Sequence, residues 1–280
     1  FRTNARIAAE GGVHNVDFFD WINGVPRKGH EHPHGCIRKW FNPINTIYYD
    51  NYGTEHKGTP PGMYSITYDP VGINKENKEI TLRHSHNSIK VWMNPCKYNG
   101  FKTALVCAYY GRTEKLEEAD YICYLLAKYY NCIGTTAVEI NRGETVSNFT
   151  KWKALKYLMK DAVDVWDTTI KGAAVAHYGI NMGAEGRKLE GLRLLREMLY
   201  TKIGTDEFGN DIKMFHTIYD YQSILELKKW NNFGNFDRVS EMILRGVQWK
   251  NTNIEAAKEL AHRKKLIKKD NNDILTRDWF

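Results

Sequence analysis

A mixed α/β sheet flanked by helices is the architecture this sequence predicts, and three observations predict it. Segments of alternating or β-forming residues recur between residues 61 and 111, divided by turn signals. A helical segment follows and leads directly into one more strand-like segment, TTAVEIN. A helical connection back to the same sheet makes a parallel pairing, so an antiparallel meander joined to a parallel strand is expected.

Each element has its own warrant. Residues 1–60 are irregular and rich in Gly, Asn, His and aromatic residues, and read as an N-terminal extension or linker ending at the turn-forming GTPPG. In MYSITYDPV the alternation puts Met63, Ser65, Thr67 and Asp69 on one face and Tyr64, Ile66 and Tyr68 on the other. KEITLRHS, SIKVWM and FKTALVCAYY continue the strands, with VGINKENK and NPCKYNG as turn signals. In EKLEEADYICYLLAKYY, Ala119, Ile122, Leu126 and Tyr129 recur at helical spacing and predict the crossover helix. Val138 and Ile140 then share the face opposite Glu139, a half-buried strand that presents an acid at its end.

Further helices are predicted in NFTKWKALKYL, AEGRKLEGLRLLREMLYTKI and YDYQSILELKKW. After the breaker Gly234, Phe236, Val239, Ile243 and Val247 form a helical stripe, with Asp237 at its margin and Glu241 one turn later. NIEAAKELAHRKKL reads as a basic C-terminal helix, which sets residues 251–280 apart as a tail on a domain of residues 61–250. The order meander, helix, strand, helices is that of a ribonuclease H-like fold. In that fold the first and fourth strands lie side by side, which would make Asp69 and Glu139 neighbours.

At 280 residues the chain can bury a full core. No stretch approaches the roughly 20 apolar residues needed to span a bilayer, and FRTNARIAAEGG lacks the basic-then-apolar pattern of a signal peptide. A chain that starts at Phe1 is expected to be a fragment or a processed product. The five cysteines, Cys36, Cys96, Cys107, Cys123 and Cys132, form no CxxC pair, and an odd count fits reduced thiols. A net charge of +7 and a pI near 9.0, concentrated in HRKKLIKK, favour a polyanionic partner such as nucleic acid.

The chemistry lies in three isolated acids. Asp69 ends a strand, Glu139 ends another, and Asp237 opens a helix, so each carboxylate can be aimed from a rigid element. Taken singly, each also reads as an ordinary strand-end or helix-start acid, since the helix dipole favours Asp near an N-terminus. Brought together they would repel, and such a cluster is tolerable mainly when divalent cations occupy it. Two Mg²⁺ or Mn²⁺ ions about 4 Å apart can activate water and stabilise the attacking and leaving oxygens of a phosphodiester. Asp69 is expected to bridge the ions, with Glu139 and Asp237 each holding one side.

The succession YSITYDPVG, EITLRHSHNSIKVW, AYYGR, AVEIN with RGE, YGINMG and GNFDRVSEMIL resembles the C-terminal nuclease domain of the large terminase subunit of tailed bacteriophages, over roughly residues 60–250. The resemblance implies a metal-dependent endonuclease that cuts concatemeric viral double-stranded DNA during genome packaging, with Asp69, Glu139 and Asp237 as its acids. It also implies a full-length protein with an N-terminal ATPase domain, partnered by the small terminase subunit and the portal, acting on procapsids in the host cytoplasm. Many members pair two acids in the last motif. Here Phe236 precedes Asp237, and Glu241 is the nearest substitute for a fourth ligand. No GxxxxGK[ST] loop occurs, so this chain is expected to cut DNA without ATP and not to translocate it.

Other residues carry weaker signals. Arg112, Arg142, Arg187 and Lys188 are candidate contacts to the DNA backbone, and each reads equally as solvated charge. His84 and His86 share a strand face and read first as structural, second as general bases. His30, His32, His34 and Cys36 match no standard zinc module and read as loop. Trp152, Trp230 and Trp249 are spaced like helical core residues rather than base-stacking platforms. Three rival functions remain: a restriction-endonuclease fold, which expects a lysine where the strand reads Glu139, Ile140, Asn141; a ribonuclease H-like resolvase or transposase; and a noncatalytic DNA-binding packaging module.

Overall fold

The computed structural model describes residues 14–16, 21–22, 25–26, 37–50, 52–71, 86–113, 115–140, 144–166, 177–183, 186–231 and 236–277, with backbone alone for 14–16, 21–22, 25–26 and 262–277. The strands are β1 His14–Val16, β2 Trp21–Ile22, β3 Val25–Pro26, β4 Ile37–Lys39, β5 Thr46–Tyr49, β6 Glu55–Gly58, β7 Tyr64–Asp69, β8 Asn87–Met93, β9 Ala104–Gly111, β10 Thr136–Val138, β11 Lys202–Thr205 and β12 Asp211–Lys213. The helices are α1 Leu116–Tyr129, α2 Glu144–Lys151, α3 Arg187–Tyr200, α4 Tyr221–Lys229 and α5 Asp237–Arg277.

The central sheet runs β1-β4-β9-β8-β7-β10. β7, β8 and β9 form the antiparallel meander, and β10, reached through α1, pairs parallel with β7. The mixed sheet flanked by helices that the sequence predicts is therefore present, with the first and last strands of the ribonuclease H-like order side by side. Segments 158–160 and 178–180 bridge onto β10 and cover its outer edge. KEITLRHS falls outside the described residues.

Alternation along β7 sorts the two faces as expected from Tyr64 onward, whereas Met63, just before the strand, packs in the core of Tyr64 instead of on the face of Ser65. Tyr64, Ile66 and Tyr68 are buried in one core with Ala119, Cys123, Leu126 and Tyr130 of α1 and the turn after it. Ser65 and Thr67 point the other way, onto α5. Trp92 of β8 and Leu105 of β9 join α3 and α5 in a second core, built on Leu194, Met198, Ile243 and Val247. The expected tryptophan roles hold for two of the three, Trp152 packing on the first core and Trp249 on the second.

Three boundaries differ from the sequence reading. The supposed extension of residues 1–60 enters the main sheet, because β4 pairs with β9 through Ile37↔Tyr109. Ile37 and Trp40 are buried in the two cores, and Tyr130 donates to the Phe41 carbonyl at 2.7 Å. An uncovered β9 would be a bare sheet edge, and burying one Ile adds about 1.5–3 kcal/mol, so a short strand suffices to dock the segment. The separate tail of residues 251–280 is likewise not separate: α5 is one helix of 41 residues, about 60 Å long. No Gly or Pro interrupts it at 250, and Thr252 bonds back to the Gln248 carbonyl at 3.0 Å. Finally, the helix expected over NFTKWKALKYL starts earlier, at Glu144, and stops at Lys151. Ala154 N–H donates back to the Phe149 carbonyl at 2.8 Å, and Lys153 takes φ 54°, a left-handed closure that ends the helix.

Candidate active site

Asp69 is the last residue of β7, and Pro70, which has no N–H to donate, stops the ladder there. Glu139 follows β10, and its N–H donates to the Tyr68 carbonyl at 3.0 Å, which sets it beside Asp69 across the parallel pair. The Glu139 carboxyl is in hydrogen-bond contact with that of Asp69 and raises it. Burial pushes the Asp69 carboxyl well above the ordinary range, and Glu139, Asp237 and Glu241 each push it further. The other three acids all act electrostatically on Asp69.

Asp237 is the first residue of α5, where the helix N-terminus favours a negative charge. Its Oδ2 accepts the His86 N–H at 2.8 Å, and the His86 ring Nδ1 lies 4.0 Å away. Burial raises the Asp237 carboxyl, partly offset by the His86 N–H. The His86 ring stacks on Tyr110 at 4.7 Å, and the Arg238 guanidinium lies 3.4 Å from the centre of the same ring. Tyr110, in hydrogen-bond contact with Asp237, has its phenol pushed up to about 12, chiefly by burial.

Glu241 is near Asp69 but sealed. It is fully buried, one oxygen accepts the Thr67 hydroxyl, and the other accepts the Lys90 ammonium. Burial raises its carboxyl, while Lys90 and Thr67 pull the other way. Asp69, Glu139 and Asp237 by contrast are half-buried residues. Hard oxygen donors carried by two strand ends and a helix start suit Mg²⁺ or Mn²⁺, and the mutual repulsion at Asp69 supplies the demand for positive charge. Among the described residues, no three His, Cys, Asp or Glu side chains are gathered as a ready cage for one ion.

The candidate DNA contacts separate. Arg187 is buried at 5% exposure, where it bonds Asp161 at 3.2 Å and the Asn181 carbonyl at 2.9 Å and lies over Trp166, so it braces the start of α3 rather than facing a ligand. Lys188, its neighbour, is exposed. Arg112 is exposed just past the end of β9, at the same end of the sheet as Asp69, since Tyr110 pairs with Ser88 and Ser88 with Asp69. Arg142, His84 and the stretch from His30 to Cys36 lie outside the described residues.

Three neighbours escaped the sequence reading. Lys90 sits inside SIKVWM, where alternation puts it on the Ser88 and Trp92 face, but its partner on α5 is remote in sequence. Tyr110 looks like any strand aromatic until β8 and α5 close on it. Asp120, on the opposite side of the sheet, is fully buried and accepts Tyr68 OH at 2.9 Å, Thr145 OH at 3.0 Å and Asn148 N–H at 2.7 Å. Its place in the Ala119 stripe of α1 was the one available signal. Compared with known proteins, the chain matches no family model and no curated protein.

Proposed function

We propose that the protein is a two-metal-ion endonuclease that hydrolyses the phosphodiester backbone of double-stranded DNA, with Asp69, Glu139 and Asp237 holding two Mg²⁺ or Mn²⁺ ions. The observation that carries this reading is the placement of Asp69 against Glu139 on neighbouring parallel strands, with Asp237 acting on the same carboxyl from the start of α5. Asp69 feels both other acids and is the one suited to be shared between two ions. When bound, such ions would activate water and stabilise the oxygens of the scissile phosphodiester. The protein's own part is to aim the acids: β7 and β10 fix two of them, and the His86 N–H fixes the third. Arg112, at the same sheet end, is suited to hold a DNA phosphate near them.

The finer reading is that of the nuclease domain of a large terminase subunit. It follows from the motif order together with the ribonuclease H-like sheet. On that reading the substrate is concatemeric viral DNA, and the partners are an ATPase domain, the small subunit and the portal. The test is incubation of the purified chain with supercoiled plasmid and Mn²⁺ or Mg²⁺, with and without EDTA, beside Asp69→Ala and Asp237→Asn. Cutting that needs metal and is lost in both variants is expected. Variants that cut as well as the parent would overturn the assignment of the acids.

A further inference from the structure

We propose that Lys90 and Glu241 form an internally neutral pair that seats the first turn of α5 and thereby positions Asp237, and that Glu241 is not a metal ligand. This inference rests on the two-metal reading of the site and concerns which acids serve it.

Lys90 is 1% exposed, between Ile89 and Val91 in the middle of the sheet. A charge in such a place is tolerated only when paired and fully hydrogen-bonded. The ammonium has three donors and finds three acceptors: a Glu241 carboxylate oxygen, the Arg238 carbonyl at 3.1 Å, and the Ser88 hydroxyl, more distant at 3.4 Å. Two of the three belong to α5, one from its first turn and one from its second. Arg238 adjoins Asp237, so the ammonium grips the backbone next to the ligand itself. The second grip on Asp237, the His86 N–H, comes from the residue before β8. Both anchors of this acid therefore come from β8 and the residue that leads into it.

Glu241 is committed on its other side too. The Trp92 indole donates to Thr67 Oγ1 at 2.9 Å, and Thr67 donates its own proton to Glu241. With both oxygens occupied and no exposed surface, Glu241 differs from the other three acids, which are half-buried residues. Subtracting this pair leaves three acids to demand cations. The seat continues along the same helix face: Arg245 bonds Ser65 at 2.9 Å, and Gln248 bonds the Thr135 carbonyl at 2.8 Å.

The test is a Mn²⁺ titration of plasmid cutting, paired with calorimetric Mn²⁺ binding, on the parent, Glu241→Gln, the Lys90→Met/Glu241→Gln double variant and Thr67→Val. Glu241→Gln leaves an unneutralised ammonium beside the site and should raise the Mn²⁺ requirement roughly 10–100-fold, with kcat at saturating Mn²⁺ changed far less. The double variant removes that ammonium together with its grip on the Arg238 carbonyl, so it should recover only the part of the loss that the charge causes, and full recovery to the parental Mn²⁺ requirement would overturn the positioning role. A folded double variant as weak in Mn²⁺ as Glu241→Gln would make Glu241 a ligand and overturn the proposal. Should the double variant lack a cooperative melt, Thr67→Val decides. It loosens Glu241 without changing charge, so a raised Mn²⁺ requirement supports the positioning role and a parental one overturns it. A parent that neither binds Mn²⁺ nor cuts DNA would defeat the two-metal reading and this inference with it.

Discussion

Asp69 and Asp120 are both acids held above the ordinary carboxylate range, and their neighbours distinguish them. At Asp69 every named neighbour is another acid that raises the carboxyl further. At Asp120 burial raises the carboxyl, Asn148, Tyr68 and Thr145 donate to it and pull it back, Glu144 pushes it up, and the balance lies at about 6. The first calls for cations and the second is already satisfied, which separates a site from a structural pin. Asp120 makes a pH prediction with a definite sign. Below about pH 4 both folded and unfolded chains hold its proton, so the group contributes nothing. Between about pH 4 and 6 only the folded chain holds it, and the group opposes folding progressively, up to about 3 kcal/mol, a level that then persists above pH 6. Asp120→Asn cannot ionise. Measured by urea unfolding, its stability relative to the parent should therefore rise between pH 4.5 and 6.5. A flat difference across that range would show that Asp120 ionises normally in the fold. Of these two acids the sequence revealed Asp69, whose strand end and following Pro70 are local signals, and hid Asp120, whose donors lie on two other elements, β7 and α2.

At the scale of elements, the join between α3 and α5 decides where Asp237 can sit. Both helices carry a glycine at their contact. A Cβ on Gly246 would lie 2.5 Å from the Leu195 nitrogen and 2.8 Å from its Cα, and one on Gly191 would lie 2.5 Å from the Ile243 side chain. For Gly246 the obstacle is backbone, which cannot rotate aside. Helix propensity alone would favour Gly246→Ala by about 1 kcal/mol. Overpacking should cost about 1–3 kcal/mol, and the extra separation it forces also tilts the helix that carries Asp237. The expected outcome is a lower melting temperature together with a higher Mn²⁺ requirement. A melting temperature equal to or above the parent's would mean that the helices part freely. The stripe of Val239, Ile243 and Val247 was legible in the sequence because a period of 3.6 needs no partner to be seen. The polar seam of Asp237, Glu241, Arg245 and Gln248 was less so, since only the sheet beneath explains why polar residues are buried there.

At the scale of the whole molecule, the segment before β7 belongs to the fold. A chain beginning at residue 61 would lose Ile37 and Trp40 from the two cores and uncover the edge of β9. Such a truncation is expected to aggregate or to melt at a clearly lower temperature, read by circular dichroism against the parent. A parental melt would restore the view of residues 1–60 as a linker. Among the described residues no helix is long and apolar enough to cross a bilayer. By itself the sequence determined the meander, the crossover helix and the three acids, because alternation, helical period and strand-ending residues are local properties of the chain. Only the tertiary structure decided that β4 joins the sheet, that Arg187 is a brace, and that Glu241 is occupied by Lys90. Each of those outcomes depends on which distant residue fills the space opposite, and strand register and helix packing set that rather than neighbours in sequence.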